Sequence, residues 1–514
     1  MLLYLAVVAG PVAVLLVSLT GELVSGNWGL VHLALPVGRR LDLLLRSLGY
    51  AALVAVGGSV LGALAGIRLH LWQNRAGLYL RYLVLVMAVV PPYVHALSWS
   101  ALLHALNPFL AQVGLPAFPL HGLWLSWWVQ MMALMPFGVG MALLGFELLD
   151  PFQVDAARVM RDDYHVFKKI VIPAATPSIA AGSALIFLFT LMDYSVPSLY
   201  QVNTYSLEIF AEYSATYQHN RAFALALPLL ILAMATAWVF QSAFRSLVVT
   251  PVPLERRRFQ FAFPTWFSAL QTAALVLILF QVAVPLFSLV SVTGTWQNLV
   301  RPTLNSTSET GYTLIIATAA ALLCLPLALV AARCISLKGA LGRVWWFALL
   351  LPLALPGPLV GIGLIFMWNR ALPVDLYGSL LMPILAGVIR FIPIAALILL
   401  ARYSRIDPLL LDAAQILQKS RLHTLLFIHL PLLGKALLAA ALLVFVLTSG
   451  EIAATLMVAP PGQNTLTMKI YQYLHYGETS SVAGLCLVML LLALVMGMLA
   501  LHTLFFAKRT GGNA

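Results

Sequence analysis

Charged residues are scarce in this chain. Asp, Glu, Lys and Arg make up 9% of its 514 residues, against about a quarter in soluble globular domains. With 62% hydrophobic residues and a mean hydropathy of +0.97, that scarcity excludes an ordinary soluble protein. Cysteine is scarcer still: Cys324, Cys334 and Cys486 each sit in an apolar run, and no C-x-x-C or Cys/His spacing occurs. Neither a zinc site nor a disulfide framework has its ligands. The histidines, His423, His429 and His475 among them, form no ligand cluster. No G-x-x-x-x-G-K-[ST] phosphate loop is present, since Gly434-Lys435-Ala436 lacks the first glycine and the hydroxyl. No nucleophile–base pair stands out, so the chain is not expected to be an enzyme or to hold a cofactor. Short segments of alternating hydrophobicity, the mark of a membrane barrel, are also missing.

What is present is a series of apolar runs long enough to cross a bilayer, which takes about 20 residues. They fall near 2–19, 48–67, 80–103, 122–146, 174–199, 222–244, 266–290, 312–332, 344–368, 376–400, 434–457 and 482–507. The expected fold is therefore an all-α polytopic membrane protein of about twelve helices. "MLLYLAVVAGPVAVLLVSL" has no basic leader and no clear cleavage site, and reads as the first span. The net charge of +12 comes from basic residues scattered between spans, which favours membrane topology over nucleic acid. Arg39, Arg40, Arg46, Arg221, Arg301, Arg370 and Lys469 fall on one side, and Arg390 falls inside a span. The remaining basic residues collect on the other side with both termini, which makes that side cytoplasmic.

The chain is written twice. "DPFQVDAA" from Asp150 returns as "DPLLLDAA" from Asp407, and Pro136 returns as Pro393 at the same spacing. Asp193 in "TLMDYSVPSL" matches Glu451 in "LTSGEIAATL", and "NTYSLEIF" from Asn203 matches "NTLTMKIY" from Asn464. Six spans per half give two parallel repeats, 1–243 and 265–514, joined by a cytoplasmic linker over 244–264. In each copy of the polar loop, Asp-Pro starts a short helix and small Ala pairs invite close approach by another helix. Two copies at matching places read as docking elements for two like partners.

These loops resemble the EAA loop of ATP-binding-cassette (ABC) importer permeases, in which Glu-Ala-Ala, three residues, Gly and a hydrophobic-x-Leu-Pro end form a coupling helix. Asp412 to Pro431 has the family's spacing; Asp155 to Pro173 is one residue shorter, and both copies have Asp for Glu. Neither has the glycine: Gln418 stands there in the second copy, and the first loses it near Arg161. "LPLALPGPLVGIGLIFMWNR", "SGEIAATLMVAPPG" and "TLTMKIYQYLHYG" are similar to fused, duplicated permeases of the ferric-iron and thiamine type. The resemblance implies the type I ABC importer permease fold in a bacterial cytoplasmic membrane. It also implies two partner ATPase subunits that bind ATP and Mg, and an external solute-binding protein. Asp155, Ala156, Ala157, Arg158 and Arg161, with Asp412, Ala413, Ala414, Gln415 and Gln418, would form the coupling loops.

Ionisable groups inside spans are the first candidates for a solute path. Asp193, with Tyr194, and Glu451, with Thr448, occupy matched places in the fifth span of each half. Two carboxylates facing an axis would favour a cation; a structural hydrogen-bonding role is the plainer alternative. Ferric iron is the expected cargo by family likeness, with thiamine, a polyamine or a phosphonate as alternatives. Arg390 has no counterpart at Ala133 and is expected to pair with an acid or snorkel. Tyr194, Tyr200 and Tyr205 with Trp124, Trp127 and Trp128 read as an aromatic belt at the outer interface. An ion-driven secondary transporter of the major-facilitator kind also has twelve spans in parallel halves, but leaves the two Asp-Ala-Ala loops unexplained.

Overall fold

A backbone that crosses hydrocarbon must satisfy its own polar groups, and a helix does so locally. The computed structural model of the chain is all α-helical, with no strand among the described residues. It describes residues 2–72, 74–249, 261–335, 340–371, 376–407, 409–410, 413, 416, 420–476 and 479–505.

The first half opens with α1 (Leu2–Val8), α2 (Gly10–Val24), α3 (Gly29–Ala34) and the long α4 (Arg39–Leu71). It continues through α5 (Arg75–Met87), α6 (Pro92–Gln112) and α7 (Leu123–Glu147) to the loop helices α8 (Pro151–Arg158) and α9 (Asp163–Val166). A π-turn over Phe167–Val171 leads into α10 (Ile172–Met192). Short α11 (Ser195–Leu199) and α12 (Tyr205–Thr216), then α13 (His219–Val239) and α14 (Gln241–Val249), complete it. The second half repeats the order: α15 (Thr265–Thr293), α16 (Trp296–Leu304), α17 (Thr307–Ile335), α18 (Ala340–Leu350), α19 (Gly357–Phe366) and α20 (Leu381–Tyr403). Then come α21 (Arg421–Thr424), a π-turn over Leu425–His429, α22 (Leu430–Ser449), α23 (Thr455–Val458), α24 (Leu466–Tyr476) and α25 (Thr479–Phe505). Of the expected linker, 244–249 lie in α14 and 250–260 are outside the described residues.

Nine helices among the described residues are long and apolar enough to cross a membrane, or eleven if each of two bent pairs counts as one span. The expected first span is the shorter helix α2, preceded by α1. The third and ninth expected spans are not straight. α5 and α6 meet at 106°, and the helix ending at Ala354 meets α19 at 104°. Proline explains both bends, since it removes a backbone donor and clashes with the preceding turn. Pro91-Pro92 occupies one corner, and Pro352 with Pro356-Gly357-Pro358 the other. The fifth and eleventh spans end at Met192 and Ser449, short of the expected 199 and 457, because Asp193 and Gly450-Glu451 leave the helical path.

Within each half three helices pack mutually: α4, α7 and α10 in the first, α17, α20 and α22 in the second. Between α4 and α7 the backbones touch, and a methyl added to Gly62 would lie 2.7 Å from the Gly138 carbonyl carbon. Small residues permit such approach where hydrocarbon gives helices no other reason to associate. The first long helix of each half lies across to the other half. α2 packs on α13 and α19, while α15 packs on α25 and, across the interface, on α4 and α6. The last helices follow suit, α13 meeting α19 and α25 meeting α5.

The repeat extends to single hydrogen bonds. Ser47 Oγ accepts the Tyr205 N–H at 2.8 Å, and Thr313 Oγ1 accepts the Leu466 N–H at 2.8 Å, each fixing a short helix to the second long one. Ser206 donates to the Met192 carbonyl at 3.1 Å and Thr467 to that of Ser449 at 2.7 Å. An ion pair also repeats with its charges exchanged: Glu208 with Arg39 at 3.1 Å, and Lys469 with Glu309 at 2.8 Å. Two of the basic residues that run against the charge trend, Arg39 and Lys469, are thus paired with carboxylates.

Candidate functional site

A cavity of about 160 Å³ lies where the halves meet. At about 30 Å³ per water it has room for roughly five water volumes, the scale of a small solute. Both corners reach it, Pro91 and Pro92 from the first half and Pro352 and Leu353 from the second. Asp193 and Glu451, at the ends of α10 and α22, line it from opposite halves. Tyr194 and Thr448 do not: Tyr194 is buried and stacks on Phe210 at 5.3 Å, and Thr448 packs against Gly387.

Each carboxylate has a local task. Asp193 Oδ1 accepts the Ser195 N–H at 3.1 Å and its hydroxyl at 2.7 Å, and Oδ2 accepts the Val196 N–H at 3.4 Å. Glu451 accepts the N–H groups of Ala454 at 2.9 Å and Thr455 at 2.8 Å, and a short bond from the Thr455 hydroxyl. Both therefore satisfy the otherwise unpaired first donors of the short helices α11 and α23.

Two polar groups that the repeat hides complete the lining. Gln130 on α7 is 1% exposed, and its Oε1 has no hydrogen-bond partner among the described residues. Arg390 lies on α20, the counterpart helix, where the repeat aligns it with Ala133 and aligns Gly387 with Gln130. Its Nη1 stands 3.6 Å from Glu451 Oε1, beyond hydrogen-bond reach, and has no hydrogen-bond partner among the described residues. Gly357 leaves it room, since a methyl there would strike Nη1 and Ala453. Arg390 thus keeps a charge partner, and its partly exposed side chain lines the cavity while Nη1 itself is buried. The comparison of halves that set Arg390 against Ala133 would have marked Gln130 as well, set against Gly387.

The loops carry a second matched constellation. Asp150 Oδ1 accepts the Phe152 N–H at 3.0 Å, and Asp407 Oδ1 accepts the Leu409 N–H at 2.9 Å. Phe152 and Val159 are 61% and 88% exposed, and their counterparts Leu409 and Ile416 are 74% and 83% exposed. Large apolar side chains thus stand exposed at two matched pairs of positions. Ala156 faces outward, whereas Ala157 packs inward against the cluster around Val154 and Phe167. Arg158 bridges to Asp163 at 2.8 Å, and Arg161 is exposed. Ala413 is exposed; Asp412, Ala414, Gln415 and Gln418 lie outside the described residues. Asp162 caps α9 and contacts His165 Nδ1 at 2.5 Å. Desolvation acts to raise its carboxyl, but the hydrogen bonds and charge of His165 hold it below the usual range.

The expected aromatic belt divides. Trp124 is 75% exposed, but Tyr194, Tyr200 and Tyr205 are buried. The last two hydroxyls donate to the carbonyls of Ala96 at 2.8 Å and Leu225 at 3.0 Å, so these rings are packing and not bilayer anchors.

No family model matches the chain. Among curated proteins it is similar to PhnV of Salmonella typhimurium, named a 2-aminoethylphosphonate transport system permease protein. The two are 29% identical over 161 residues, 31% of this chain and 59% of that protein. PhnU of Salmonella typhi, named a permease of the same transport, is 33% identical over 140 residues, 27% of this chain and 47% of that protein. The chain spans about half to three fifths of the length of these relatives. Both relatives are named as permease proteins of a transport system.

Proposed function

We propose that the chain is the permease subunit of a binding-protein-dependent ABC importer, with its solute path through the cavity between the halves. The observation that carries this reading is the matched pair of loops, each with the same aspartate cap and the same two exposed apolar positions. Two like surfaces at corresponding places fit two like subunits, here the ATPases that the chain itself cannot replace. Closure of the ATPases would move the loops as rigid bodies and switch the halves between inward- and outward-facing arrangements.

For the cargo, the preferred reading moves from ferric iron to an oxyanion-bearing solute of the phosphonate kind. Asp193 and Glu451 are engaged by backbone donors, which lowers their value as ligands for a cation. Arg390 instead brings a partly exposed positive charge to the lining, and a guanidinium matches the fork geometry of a phosphonate. The relatives, named for 2-aminoethylphosphonate transport, agree with that chemistry. The test is to purify the complex with its binding protein and ATPases and identify the bound ligand by mass spectrometry. A phosphonate is expected; bound iron would return the cargo to the metal, and a complex without ATPase would overturn the importer reading.

A further inference from the structure

The first loop is held by the segment that leads into the second half. Asp163 accepts Arg158 Nε–H at 2.8 Å on one oxygen and the Ala262 N–H at 2.7 Å on the other. The Arg158 guanidinium lies over the Phe261 ring, 5.6 Å from its centre. Buried Phe167 meets the rings of Phe263 at 4.9 Å, Phe267 at 5.7 Å and Phe261 at 5.9 Å. Tyr164 closes the cluster against Phe267 and Trp266. Thr265, two residues past Phe263, begins α15, which packs on both halves.

The second loop lacks the residues for such a bridge. Gln415 stands where Arg158 does, Ser420 or Arg421 where Asp163 does, and "FQFAFP" occurs once in the chain. The residue missing from the first loop falls near Arg161, between the two ends of the bridge.

We propose that residues 261–267 are a tie between the first coupling loop and α15, which makes the two ATPase docking sites mechanically unequal. Movement of the first loop carries the start of α15 with it and so reaches α25 of the second half; the second loop lacks the residues for this route. The tie rests on the importer reading. Phe261, Phe263 and Asp163 are positioning residues, acting through the loop without touching solute or nucleotide.

The full chain is assembled with its ATPase subunits and binding protein in lipid nanodiscs, as wild type, as Phe261→Ala/Phe263→Ala and as Asp163→Ala. Expected in both variants is ATPase bound at the wild-type ratio, with amide exchange over 151–166 about tenfold faster. Binding-protein-stimulated ATP hydrolysis should fall about fivefold or more. Phe261→Tyr/Phe263→Tyr should restore both. Faster exchange with unchanged hydrolysis, or loss of ATPase binding itself, overturns the tie while leaving the importer reading in place. A wild-type chain that recruits no ATPase overturns both.

Discussion

Arg390 is the residue on which the cargo turns. A hydrogen bond to a charged group contributes about 1.5–3 kcal/mol, or about 10- to 100-fold in affinity. Arg390→Gln should therefore lower phosphonate uptake by about that factor in a reconstituted transport assay. Asp193→Asn should leave uptake nearly unchanged, because Asn caps a helix about as well as Asp; a large loss would restore the carboxylate to the path. The exchanged ion pair gives a second test. Lys469→Glu opposite Glu309 should destabilise by about 1 kcal/mol or somewhat more, the pair being largely buried. Adding Glu309→Lys should recover most of the loss, read as coupling in a double-mutant cycle of thermal unfolding.

At the scale of elements, the loops and the broken helices do different work. The loop helices present exposed apolar side chains, Phe152, Val159, Leu409 and Ile416. Burying one such side chain contributes about 1.5–3 kcal/mol. Val159→Asp or Ile416→Asp should each weaken ATPase recruitment about tenfold or more, and the pair should abolish it, measured by co-purification from membranes. Ala156→Glu should act likewise from the outward face, whereas Ala157→Glu would also disturb the packing beneath it. The bends at Pro91-Pro92 and Pro356-Gly357 and the breaks at Asp193 and Glu451 bring backbone corners from both halves to one cavity. Irregular backbone at such depth is tolerated where it lines a cavity and is capped from within.

Across the whole molecule, the exchange of first and last helices makes each half part of the other's wall. A protease site inserted within 250–260 should yield two fragments that remain together in detergent after cleavage. Separation on size exclusion would overturn the exchanged packing. The same arrangement explains why the cavity takes unlike residues from like helices, Gln130 from α7 and Arg390 from α20. A single site on the axis needs chemistry from one half only, so the two copies are free to diverge there.

Hydropathy, loop spacing and the four matched motifs were enough to indicate the helical class, the repeated motifs, the matched polar loops and the acids at the ends of the fifth spans. Those properties depend on composition and local spacing, which a chain carries on its face. Tertiary structure alone decided that the third spans turn back at proline, that Tyr194 and Thr448 are packed away, and that it is Glu451 beside which Arg390 stands. It also joined Ala262 to Asp163, 99 residues earlier. Each of these depends on which distant groups meet, and local spacing does not encode that.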